Sequence, residues 1–174
     1  MATPTEKLEI ALREGDDRRR PRQVERIIWL SEHLNLPSAI LGRTETMHLL
    51  QEARETFVDG HFAAALLLAV SVINHSLIEE LQLRNEITGD PGLKKVLAKS
   101  GELNILPGSC LEALDRIVSI RHPFVHFKDS DHEHGLGVRT IKERTHPAHL
   151  LEADAREAIK LMYIVFKATL REAV

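Results

Sequence analysis

Arg121-His122-Pro123-Phe124-Val125-His126 is the stretch of this sequence best equipped for chemistry. An imidazole titrates near pH ~6.5 and can give or take a proton around neutrality. A guanidinium is always charged and forked, which suits the oxygens of a phosphate. Together they could cleave RNA without a metal ion. A base takes the 2′-OH proton, an acid protonates the leaving 5′-oxygen, and the cation stabilises the phosphorane. One histidine cannot readily be acid and base in the same step, and a homodimer that brings two copies of His126 together would supply both. Five residues of regular α-helix advance about 500°, which sets Arg121 and His126 about 140° apart. Pro123 cannot donate to the carbonyl of Ser119 and crowds the preceding turn, so a kink there is expected to bring the two together. A plainer alternative has Arg121 capping the last carbonyls of its helix and His126 bonding between helices. Several other Arg–His pairs share the spacing, among them Arg43/His48, Arg116/His122 and Arg144/His149, so spacing alone selects nothing.

Other constellations compete. His122, His126, His132, His134 and His146 lie near Asp129, Asp131 and Glu133, and His122-x-x-x-His126 has a metal-ligand spacing. It lacks the Glu of a zinc protease motif, and Pro123 disturbs the geometry, so no metal and no cofactor is expected. Glu45/His48 and Glu143/His146 have the Glu-x-x-His form of di-metal bundles, but the second pair precedes Pro147 in a loop. Asn74, His75, Ser76, Glu79 and Glu80 interrupt an apolar helix and are read either as a satisfied polar layer or as groups facing a site. Cys110 falls at a helix start, where a thiol pKa can drop, but has no assigned partner and reads as passive. Arg18-Arg19-Arg20-Pro21-Arg22 reads as a solvated turn or as a phosphate contact.

Composition bounds these options. The 174 residues are 43 % hydrophobic, 28 % charged and only 4 % aromatic, which favours one helical globular domain. A net charge of −3 argues against coating long nucleic acid with a broad basic face, though not against one small cationic site. A single cysteine rules out an internal disulfide framework. Residues 1–14 lack the apolar core of a secretory signal, and the apolar run from Phe62 to Ile73 is short for a membrane span. A cytoplasmic protein with no membrane partner is expected.

The elements that must position the site are helices. The pattern predicts a short helix over 5–14 capped by Gly15, then one starting near Pro21 with Val24, Ile27, Ile28, Ser31 and Leu34 buried and a break at Pro37. Further helices are predicted over 44–59, over 61–86 as the most buried element, and over a short stretch to Lys99 opened by Asp90-Pro91. Ser109-x-x-Glu112 reads as a capping box for a helix reaching Arg121. Residues 129–146 read as a long loop with room for a hairpin. A last helix is predicted from Pro147 to about Arg171, with Leu151, Ala155, Ala158, Ile159, Met162, Val165, Phe166 and Thr169 inward.

The order of a long apolar helix, a helix ending in Arg121-His122-Pro123-Phe124-Val125-His126 and a final helix resembles the HEPN family, whose signature is Arg-x4–6-His. The resemblance covers roughly residues 44–172. It implies an all-α, HEPN-like antiparallel bundle of four to five core helices over 44–174, with 1–43 as an N-terminal helical extension. It also implies a homodimeric, metal-independent endoribonuclease, a toxin or defence effector with a possible antitoxin partner. Arg121 and His126 would be catalytic, with His122 as a helper. A catalytically silent dimerisation or partner-binding module is the alternative. HEPN toxins that are modified on tyrosine carry it two residues after the histidine. Lys128 stands there instead, which argues against that regulation and offers a weak phosphate contact.

Overall fold

The computed structural model describes residues 3–33 and 43–170, and its elements are seven α-helices with no strand among those residues. In chain order they are α1 (Pro4–His33), α2 (Thr44–Asp59), α3 (Phe62–Leu83), α4 (Leu93–Glu102), α5 (Gly108–Val125), α6 (Leu136–Glu143) and α7 (Pro147–Thr169). The protein is all-α, as its composition and periodicity imply.

The core is built around α3, which packs against α2, α4, α5 and α7. Leu66, Val70, Ile73, Leu77 and Leu81 are buried along it. Each such side chain contributes roughly 1.5–3 kcal/mol on leaving water. At 22 residues α3 outlasts the short apolar run seen in the sequence and is, by length and composition, apolar enough to cross a bilayer. Its packing against four other helices makes it the central helix of the bundle. From α2, Leu50, Ala53 and Phe57 face it, and α7 presents Ala155, Ala158, Ile159, Met162, Val165 and Phe166. Those α7 positions are the predicted stripe, apart from half-buried Leu151 and Thr169. Ala63 and Ala64 of α3 line one cleft with Ala148 and Leu151 of α7. The two helices therefore enter the bundle at the same end, and this pair departs from a purely antiparallel arrangement.

Gly60 makes the α2–α3 turn. It is the α2 C-cap at φ 84°, donating to the Phe57 carbonyl. That left-handed conformation favours glycine. A Cβ there would also stand 3.1 Å from Nη1 of Arg26.

The N-terminal prediction is corrected in two ways. Gly15 does not end a helix and Pro21 does not start one; α1 runs unbroken through both. Its buried face is also not the aliphatic one. Val24, Ile27 and Ile28 are exposed, whereas Arg26 and Leu30 are buried and Trp29 packs against the core. Aromatic and cationic contacts take the interface instead. Trp29 meets Phe57 at 5.1 Å between ring centroids, and the Arg156 guanidinium sits 4.9 Å from the Trp29 ring. Arg26 lies 4.8 Å over the Phe62 ring. Such contacts add to burial beyond what aliphatic patterning registers. Leu34, Pro37 and Arg171 lie outside the described residues.

Candidate functional site

α5 carries the Arg121–His126 stretch, and its start and end both differ from expectation. Its N-cap is Pro107, with no side-chain cap bond, so Ser109 and Glu112 form no capping box. Nor does Pro123 end the helix. α5 continues to Val125, and the His126 amide donates to the His122 carbonyl at 3.0 Å. Pro123 forfeits one bond in the last turn, while Ile117, Val118 and Ile120 are buried and Phe124 packs on the core. Burial of that face outweighs the roughly 3 kcal/mol penalty of an internal proline. The chain leaves the helix only at His126, which is extended at φ −126° and ψ 133°.

This geometry pairs His126 with His122 rather than with Arg121. The i, i+4 spacing puts the two rings on one face, and their centroids are 4.6 Å apart. Arg121 is half-buried, and its Nε is enclosed without a hydrogen-bond partner. Among the described residues it makes no ion pair or side-chain hydrogen bond, so it neither caps α5 nor hydrogen-bonds either ring. His126 is exposed and has no side-chain hydrogen bond to another helix among the described residues.

His122 gathers a cationic surrounding from three elements. Its pKa is lowered from the ordinary value, first by partial burial and then by Lys128, His126, His132 and Lys94. The charged groups named among these causes are all basic. Lys94 comes from the first turn of α4, and Lys128 and His132 from the segment after α5. Neither lysine is ion-paired among the described residues. Beside them, Phe127 is 98 % exposed. The sequence named His122, His126 and Lys128 together. It missed Lys94, whose place depends on α4 folding back along α5, and the exposure of Phe127.

Other sequence candidates separate from this cluster. Asn74, His75 and Glu79 line a different cleft of about 250 Å³ with Arg43, Gln82 and Asp90, and none of residues 121–128 lines it. Glu79 there accepts a hydrogen bond from Thr46 at 2.7 Å. Cys110 is buried and its thiol is pushed up by desolvation, not lowered. Glu45 and His48 are exposed on α2, and His146 is the α7 N-cap, its Nδ1 accepting from the Ala148 amide. No three His, Cys, Asp or Glu side chains converge as metal ligands among the described residues.

No family model, curated protein or solved structure matches the chain.

The 129–146 segment is not all loop. It contains α6, eight residues with Arg139 buried against α7, and no hairpin. Arg139 donates through both terminal nitrogens to Asp154, at 2.7 and 2.9 Å. The bond clamps the far end of the segment that bears His126, Lys128 and His132. Asp90-Pro91 likewise serves differently than expected. Asp90 accepts from the Gly92 amide at 3.0 Å, and Gly92 is the α4 N-cap.

Proposed function

We propose that this chain is a HEPN-like endoribonuclease that cleaves RNA by 2′-OH attack without a metal ion, acting in the cytoplasm as a toxin or defence effector. The observation that carries the reading is the pair of half-buried His122 and exposed His126, 4.6 Å apart, with Lys128, His132 and Lys94 acting on His122. A backbone phosphate would be drawn there by Lys94, Lys128 and His132. His126 would move the proton, and His122, held toward its neutral form, is suited to the base role at and below neutral pH. The exposed Phe127 ring offers a face for an unstacked base. Arg121 supplies an unengaged guanidinium for the phosphorane, and a homodimer would let one protomer's Arg121 serve the other's histidines.

The catalytically silent dimerisation or partner-binding module is favoured by one specific observation: among the described residues Arg121 hydrogen-bonds to neither histidine. Exposed Val125 and Phe127 beside the site suit either a second copy or another protein.

Cleavage of single-stranded RNA in excess EDTA separates the two, comparing the purified protein with Arg121→Ala and His126→Ala. Loss of at least about a hundredfold in both variants is expected. Equal cleavage by all three proteins would sink the ribonuclease reading. A stable dimer that cleaves nothing selects the silent module.

A further inference from the structure

A second basic feature is a cleft none of whose lining residues comes from α5. The first turn of α3, the Asp59-Gly60 corner and the middle of α1 enclose an open cleft of about 820 Å³. Arg18, Arg19, Arg22 and Arg26 line it, against the single carboxylate of Asp59. Asp59 is occupied by the Gln23 side-chain amide at 2.9 Å.

The four guanidinium groups differ in how free they are. Arg26 is anchored: its side chain is only 9 % exposed, Nη1 donates to the Val58 carbonyl at 2.9 Å, and Nε lies 3.6 Å from Glu152. That Nε has no hydrogen-bond partner although it is buried. Arg18 uses only Nε, on the Glu14 carbonyl, and Arg19 pairs with Asp16 at 2.6 Å. Arg22 has no hydrogen bond or ion pair among the described residues.

The floor of the cleft adds backbone donors. α3 starts at His61 with no side-chain cap. The amides of Phe62, Ala63 and Ala64 therefore have no protein acceptor among the described residues, and all three residues line the cleft. Uncapped first-turn amides and the positive end of a 22-residue helix attract an anion. Guanidinium forks nearby match phosphate oxygens in shape as well as charge.

The space is far larger than one phosphate and has an apolar wall of Phe62, Ala63, Ala64, Ala148 and Leu151. Apolar lining with a few convergent charges, at this volume, fits an organic ligand. We infer that this cleft binds the phosphate of a nucleotide or an RNA strand. The phosphate lies on Arg22, Arg18 and the α3 amides, with the nucleoside body against the apolar wall. The inference stands whether or not the α5 histidines cleave RNA.

Fluorescence anisotropy and calorimetry on the full chain test it with three probes: pyrophosphate, a 5′-nucleoside diphosphate and a 2′-O-methyl oligoribonucleotide, which has no free 2′-OH to attack. The variants are Arg18→Ala/Arg22→Ala and, as a control, Arg20→Ala, whose side chain pairs with Asp17 and does not line the cleft. All three positions are exposed on α1, and alanine favours helix, so thermal melts should match wild type. At least tenfold weaker binding in the double variant is expected, with Arg20→Ala within about twofold of wild type. Nucleoside diphosphate binding identifies a free nucleotide as the source, and oligonucleotide binding alone identifies RNA. Failure of every probe to bind, or an equal loss in Arg20→Ala, would overturn the inference.

Discussion

Asp154→Ala should be among the most damaging single substitutions in the chain, because it strands a buried guanidinium. Asp154 is 3 % exposed and Arg139 10 %, joined by two near-parallel bonds of 2.7 and 2.9 Å. Removing one member of such a pair leaves an uncompensated charge and costs about 3–5 kcal/mol. In a chain of this length, 1 kcal/mol corresponds to about 2–4 °C, so Tm should fall by about 6–20 °C. Glu143 is the internal control. It also meets Arg139, at 3.3 Å, but is 45 % exposed, so Glu143→Ala should cost no more than about 1 kcal/mol. Replacing both buried partners, as Arg139→Met with Asp154→Leu, removes the stranded charge and should recover most of the loss. Differential scanning fluorimetry on the four proteins decides the matter. Asp154→Ala melting no lower than Glu143→Ala, or no recovery in the double variant, would refute the claim that this clamp holds α6 on α7.

Three further outcomes follow from other residues. His122 should titrate by NMR with a midpoint below the ordinary imidazole value, and Lys128→Ala or Lys94→Ala should move it upward. Because the unfolded chain binds that proton more readily, this group's contribution to stability is complete above pH ~6.5 and lost as pH falls through the folded midpoint; an unfolding series across pH 5–8 in wild type and His122→Gln reads the difference. Cys110, buried with its thiol pushed up, should react with a thiol-specific reagent far more slowly in the folded protein than in denaturant, and rapid native labelling would contradict its placement. Gly60→Ala should lower stability by about 1–2 kcal/mol, from its left-handed backbone, with a further contribution if Arg26 cannot move aside; a chemical-denaturation midpoint equal to wild type would show that the turn relaxes.

The sequence exposed those parts of the fold governed by aliphatic periodicity. α2, α3 and α7 are buried largely along the faces their Leu, Ile, Val and Ala positions describe, since area leaving water is what that pattern measures. It failed where another interaction holds the contact. α1 docks through Arg26 and Trp29, so the aliphatic residues Val24, Ile27 and Ile28 pointed to the wrong face. α6 is secured by an arginine on a distant aspartate, and a charged residue looks like surface until its partner is known. Gly15, Pro21 and Pro123 suggest breaks because isolated propensity disfavours them in helices, yet each costs only a few kcal/mol at most, and the hydrogen bonds or packing on either side carry the helix through. At the candidate site, i, i+4 spacing was enough to join His122 with His126. The arrival of Lys94 was not legible, since it depends on how α4 and α5 pack.

The length of α1 carries a consequence for how the molecule moves. At about 1.5 Å per residue, its 30 residues make a rod of roughly 45 Å, yet only Arg26 and Leu30 are buried, both in its second half. Before Gln23 the hydrogen bonds and ion pairs are the helix's own, backbone bonds and a few exposed side-chain pairs, with a glycine and a proline among its residues, and a segment of that length and composition is marginal in water. Amide exchange should therefore be graded along one unbroken helix, fast over the first turns and slow beyond Arg26. Arg18, Arg19 and Arg22 sit on the part of the rod whose order is least secured. An anion held by them would slow exchange upstream of its own contacts, turning α1 into a gauge of whether the cleft is filled.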